Sequence, residues 1–236
     1  MTQGFRFEAV ITGSETVPAG VIRERVYGDV RVTAEWPLDL AAPELRVAIE
    51  VQGDVDRLDA PAYVELYFHD VFLLLNLASP GCFGGTVSIT GGELRTRELA
   101  FRPYVFASAA GLPALPLESV VAWYDALQLG TRQVATGDEA KALFQLLRLG
   151  RAEEDEEQSI VRLATAAEAL RVQTEPRLLQ FRDDIAHGRS PLFHPMHDDA
   201  LDPRVTDATR EWTETADAAA ALVIGALQKR VLSQVP

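Results

Sequence analysis

The chain has 236 residues, 47% of them hydrophobic and 24% charged, which fits a soluble globular protein of one large or two small domains with a sizeable core. Its net charge is −13, divided as −6 over residues 1–117 (9 basic, 15 acidic) and −7 over residues 118–236 (13 basic, 20 acidic). Non-specific affinity for nucleic acid comes mainly from Lys and Arg, so neither half is a generic polyanion binder, and a nucleic-acid role needs a local basic site or one assembled between two chains.

The first segment, MTQGFRFEAV, has no basic stretch followed by an apolar run, so no secretory signal is read there. The most apolar runs, VFLLLNLA and AAAALVIGAL, are too short to span a bilayer, and no membrane partner is expected. Cys82 is the one cysteine, which excludes an intrachain disulfide and a cysteine-rich zinc site. The default expectation is a cytoplasmic protein.

Three early segments alternate with period two. In residues 5–12, Phe5, Phe7, Ala9 and Ile11 alternate with Arg6 and Glu8. Val30, Val32, Ala34 and Trp36 alternate with Asp29, Arg31, Thr33 and Glu35, and Leu45, Val47, Ile49 and Val51 with Glu44, Arg46, Glu50 and Gln52. Such alternation predicts strands with one buried face. Next, Asp59 stands two residues before Pro61, and Pro80-Gly81 closes the apolar run that follows. These signals predict a buried helix over 61–78, with Val64, Phe68, Val71, Phe72 and Leu75 at helical spacing; a long buried strand is the alternative. TVSIT and ELRTRELAF, separated by two glycines, predict a hairpin. The glycine-rich GCFGG has no lysine and no helix after it, and reads as a hairpin or bend. Residues 1–110 are therefore expected to form an α+β domain with a mainly antiparallel sheet. Residues 111–117, within a Gly- and Pro-containing stretch without periodicity, are the expected linker.

From residue 118 the period changes to 3.6. Helices are predicted in ESVVAWYDALQL, in GDEAKALFQLLRLG with Asp138 at its start and Gly150 at its stop, and in EEDEEQSIVRLATAAEALRVQ. The last of these places Ile160, Leu163, Ala164, Ala167 and Leu170 on one face and acids at the positive end of its dipole. Pro176 opens TEPRLLQFRDDIAHG, and Asp202-Pro203 opens a long final helix carrying Trp212, Ala216, Ala219, Val223, Leu227 and Val231. Residues 118–236 are thus expected to form an all-α bundle, giving an α+β protein overall.

The segment LLQFRDDIAHGRS holds the residues with the most chemical content. Leu178, Phe181 and Ile185 share one face, and Arg182 lies about 40° from Leu178, so its stem runs beside the buried stripe and its head needs a partner or an edge. Asp183 and His187 are four apart and are surface neighbours. An aspartate there can hold the imidazole in one orientation, and the helix end before Gly188 favours a cation. A group so placed suits proton transfer near neutrality.

RDDIAHG fits the R-x-x-x-x-H pattern of the HEPN superfamily, and its Ile-x-His-Gly ending resembles the Apea-like branch. SIVRLATAAEALRV resembles the helix that precedes the motif in that branch, and the likeness covers roughly residues 138–232. The resemblance implies an HEPN-like bundle that acts as a metal-independent ribonuclease or RNA-binding module, in a defence or stress setting. It also implies a homodimer through the helical half, in which two Arg/His pairs face one cleft and locally outweigh an acidic exterior. Carried onto this chain, His187 would be the general acid or base on the ribose 2′-hydroxyl or the leaving oxygen, Arg182 would stabilise phosphate charge, and Asp183 would orient one of them. Arg189 would add a phosphate contact. RNA is the expected partner, with no DNA. Asp184 departs from the pattern by placing a second negative charge beside the phosphate site.

The competing reading is a non-catalytic interaction protein in which the bundle dimerises and the motif is structural. Arg182 would then pair with an acid from a neighbouring helix, and His187 would cap its own helix. His194, His197, Asp198 and Asp199 are metal-type side chains, but Pro191 and Pro195 make their segment a turn-rich loop, so no metal is expected. His69 reads as a core histidine, and Trp123, Tyr124 and Trp212 as packing residues. With no G-x-x-x-x-G-K-[ST], G-x-G-x-x-G or G-x-S-x-G motif, no cofactor is expected.

Overall fold

The computed structural model describes residues 3–12, 22–37, 44–81, 84–91, 94–101, 108–127, 137–149, 156–189 and 203–234. Cys82 and residues 190–199, with His194, His197, Asp198 and Asp199, lie outside them. The fold is α+β. Strands β1 (Gln3–Thr12), β2 (Glu24–Tyr27), β3 (Val30–Glu35), β4 (Glu44–Gly53), β5 (Gly85–Gly91) and β6 (Leu94–Phe101) form one sheet in the order β2-β3-β4-β1-β5-β6. All five pairings are antiparallel.

The register explains why alternation was so clear in the sequence. Ala9 lies opposite Val47 on one side and Ile89 on the other, and Ile11 opposite Leu45 and Val87. All six are buried, while Glu8, Arg46 and Thr90 face solvent. One face of the sheet is therefore apolar and the other is charged, with Arg46 paired to Glu8 at 3.0 Å. The hairpin expected from TVSIT and ELRTRELAF is β5–β6. Gly53 ends β4 at φ +147, where a Cβ would lie 2.6 Å from the Asp29 carbonyl oxygen, so only glycine lets the strand end pass the β2–β3 turn.

Helix α1 (Ala60–Ala78) lies where the sequence put it and is the centre of the molecule. It touches β3 to β6 on the sheet side and three helices on the other. Those are α2 (Leu117–Ala126), α3 (Asp138–Leu149) and α6 (Pro203–Gln234). A helix covered on both sides must be apolar nearly all round, and Tyr67, Phe68, Phe72, Leu74 and Leu75 are all buried. Full burial of each aliphatic or Phe side chain is worth about 1.5–3 kcal/mol.

The bundle is completed by α4 (Glu156–Leu170) and α5 (Pro176–Ala186). α4 contacts α3, α5 and α6, and it buries Ile160, Leu163, Ala164, Ala167 and Leu170, the face read from its period. One continuous set of buried side chains runs from the sheet through α1 into these helices. Residues 111–117 are stitched into it. Leu112 and Leu115 pack on the core, the Leu115 amide donates to the Ala78 carbonyl at 2.7 Å, and buried Gln228 donates its amide to the carbonyls of Leu77 and Pro113.

A buried polar cluster also crosses from sheet to helices. The Asp70 carboxylate on α1 accepts the hydroxyls of Tyr27 on β2 at 2.9 Å and Tyr124 on α2 at 2.7 Å. Arg25, buried on β2, donates to Asp125 at 2.5 Å, and its guanidinium lies over the Tyr124 ring. Tyr124 thus packs as expected and also carries a hydrogen bond. Strand β2 had no sequence prediction, because its inward residues are Arg25 and Tyr27 rather than aliphatic ones. An inward charge on an edge strand also blocks pairing with another sheet.

Candidate functional site

The motif sits on α5 and the turn that ends it. Glu175 is extended and Pro176 stands in the first turn, where its missing N–H costs nothing. Leu178 and Phe181 are buried and Ile185 is packed against the core, so the apolar stripe read from the wheel faces the bundle. The Phe181 ring stacks at 4.8 Å and a 32° tilt on Trp212 of α6. The Arg177 guanidinium lies over the Phe181 ring at 5.0 Å and pairs with Glu211 at 2.7 Å. That bond holds the Arg177 guanidinium above its ordinary value and the Glu211 carboxyl below.

Arg182 emerges at the edge of this interface. Its Nη1 donates to a carboxylate oxygen of Glu168, near the end of α4. Its Nε and Nη2 both lie 3.4 Å from Asp183 Oδ1. The Glu168 hydrogen bond is the main reason that the guanidinium's pKa is raised. Glu168 was not singled out in the sequence. Its helix was recognised, but which acid of that helix meets Arg182 depends on how the two helices pack.

His187 is the C-cap of α5 and is exposed. Its Nδ1 lies 2.7 Å from the Asp183 carbonyl oxygen. A carbonyl only accepts, so Nδ1 carries a proton and donates it, and Nε2 is the ring nitrogen left to exchange a proton. The expected hold of Asp183 on the imidazole therefore runs through its backbone, while its carboxylate turns to Arg182. Among the described residues, no group pairs with Nε2, and no hydrogen bond joins Arg182 to His187.

The glycine stop has a backbone cause. Gly188 takes φ +67, its amide donates to the Ile185 carbonyl at 3.0 Å, and the Arg189 amide donates to the Asp184 carbonyl at 2.8 Å. This is a Schellman motif with glycine at the left-handed position. Arg189 Nη2 also pairs with Asp184 at 3.2 Å. Thus Arg182, Asp183, His187 and Arg189 share one solvent-facing helix end, and each arginine is matched by a carboxylate of the same chain. With neutral His187, Glu168, Asp183 and Asp184 outweigh the two arginines by one charge.

Among the described residues, no group of three His, Cys, Asp or Glu side chains is placed to hold a metal ion, and no helix is long and apolar enough to cross a membrane. Comparisons with protein families, with curated proteins and with solved structures return no match for this chain.

Proposed function

We propose that the helical half is a HEPN-type module acting on RNA as a metal-independent ribonuclease or RNA-binding protein, and that it works as a homodimer through its helices. The observation that carries this reading is His187. A backbone carbonyl fixes its Nδ1–H, and this leaves Nε2 as the nitrogen that exchanges a proton, at an exposed helix end that also bears Arg182. In the proposed reaction, Nε2 takes the proton of a ribose 2′-hydroxyl. The 2′-oxygen attacks the adjacent phosphorus, the P–O5′ bond breaks, and the leaving oxygen takes a proton from a second His187. The products are a 2′,3′-cyclic phosphate and a 5′-hydroxyl. Arg182 stabilises charge on the phosphate oxygens. DNA has no 2′-hydroxyl and so cannot enter this route.

One observation favours the second reading, a non-catalytic interaction protein. Arg182 is engaged by Glu168 of the neighbouring helix, and His187 caps its own helix, so both side chains have a structural role. EDTA-treated protein separates the two. The RNA reading expects wild type to cut or bind RNA, and His187→Ala to abolish cutting while helix content and melting midpoint stay unchanged. Equal, intact RNA with wild type and variant, together with no binding, would leave the interaction reading.

A further inference from the structure

We infer that Glu168 is an intrachain competitor for the phosphate seat of Arg182, a carboxylate that occupies the guanidinium until a nucleic-acid phosphate displaces it. The inference rests on the RNA reading above and names how that site is regulated.

All three nitrogens of the Arg182 guanidinium face carboxylates of the same chain: Nη1 meets Glu168, and Nε and Nη2 meet Asp183. These contacts engage three of the five N–H groups, one on each nitrogen, so a phosphate approaching the guanidinium competes with a carboxylate at every nitrogen. Glu168 is the stronger of the two holders, since Asp183 stands at 3.4 Å, the outer limit of a useful hydrogen bond. The holder comes from α4, fourteen residues away in sequence, so the contact is set by helix packing.

Exposure decides between a strut and a gate. A buried ion pair resists opening, because separating it strands a desolvated charge. Here the Arg182 side chain is 29% exposed and that of Glu168 55%. Exposed pairs contribute about 0–1 kcal/mol, so their opening is easy. A phosphate, by contrast, offers a guanidinium two parallel charge-assisted hydrogen bonds. The contact is thus weak enough to exchange and placed to be exchanged. It also sets the local charge: removing the Glu168 charge takes the excess of one negative charge at this helix end to zero.

The test is binding of a fluorescent, non-cleavable 2′-O-methyl RNA to the full chain, for wild type, Glu168→Gln, Glu168→Asp and Arg182→Ala. Removing one negative charge a few ångströms from a phosphate in a high-dielectric setting is worth on the order of threefold to tenfold in affinity. Glu168→Gln is therefore expected to bind about that much tighter. Glu168→Asp keeps the charge on a shorter stem and is expected to fall between it and wild type. Binding by Glu168→Gln that is unchanged or weaker overturns the inference. Arg182→Ala shows which idea has failed. If neither wild type nor Arg182→Ala binds, the RNA reading fails; if both bind equally, Arg182 is not a phosphate contact and the competitor role falls with it. If it loses binding while Glu168→Gln does not gain, only the competitor role fails. Far-UV circular dichroism of each variant checks that α4 and α5 stay folded, and Glu168→Asp keeps the test decisive if Glu168→Gln does not.

Discussion

A carbonyl oxygen holds His187, and two phenol hydroxyls hold Asp70. The first could not be read from side-chain spacing. The four-residue step from Asp183 to His187 is there in the sequence, but the same step also places the imidazole under the residue's carbonyl at a helix end. The second could not be read either, because Tyr27, Asp70 and Tyr124 come from three elements far apart in the chain. Burial pushes the Tyr27 and Tyr124 hydroxyls well above their ordinary value. It also pushes the Asp70 carboxyl up, against the two tyrosine hydrogen bonds and Arg25, which pull it down. In each case the folded state holds the proton more tightly than the unfolded chain. The tyrosine contribution is therefore complete below about pH 10, the unfolded value, and is lost as pH rises from there through the higher folded-state value. Asp70 acts in the same sense at lower pH, its contribution being complete below about pH 4 and declining above. Tyr124→Phe strips Asp70 of a donor and is expected to cost about 1–3 kcal/mol at pH 7. Its urea midpoint should then fall less steeply than that of wild type between pH 9 and 11. Parallel curves for the two proteins would remove the cluster from the alkaline transition.

At the scale of elements, the strands and helices with one apolar face were legible. β1, β3, β4 and α1 each carry an unbroken aliphatic or aromatic pattern that ends at Gly, Pro or an acid. β2 was not legible, since its two inward positions hold Arg25 and Tyr27. The helix ends were partly so. Gly188 was read as the stop of α5, and its φ of +67 accounts for it. α4 ends in the same way, with the Val172 amide donating to the Ala167 carbonyl, but Arg171 takes the left-handed position at φ +56. A side chain there costs about 1–2 kcal/mol, and glycine's larger unfolded-state entropy offsets about 0.4–1 kcal/mol of any gain. Arg171→Gly is expected to raise stability by roughly 0.5 kcal/mol, and Gly188→Ala to lower it by about 1 kcal/mol. Urea titrations of the two variants check this. Shifts of the same sign would contradict the cap assignment.

Over the whole molecule, α1 joins a charged-faced sheet to a helical bundle through one core, with Gln228 and the Asp70 cluster as polar ties across the join. The change of period at residue 118 made the two halves visible in sequence. Their shared core was not, because it depends on α1 being covered on both sides. The proposed chemistry occupies the C-terminal part of α5, where α4 and α5 bring Glu168 to Arg182 and the α5 cap presents His187. Its central claim is that His187 acts on a ribose 2′-hydroxyl, and the most direct measurement compares an RNA with its 2′-O-methyl copy, both incubated with EDTA-treated wild-type protein. The expected result is cleavage of the RNA to 2′,3′-cyclic phosphate ends while the methylated copy stays whole. Both strands surviving, or both being cut, would contradict it.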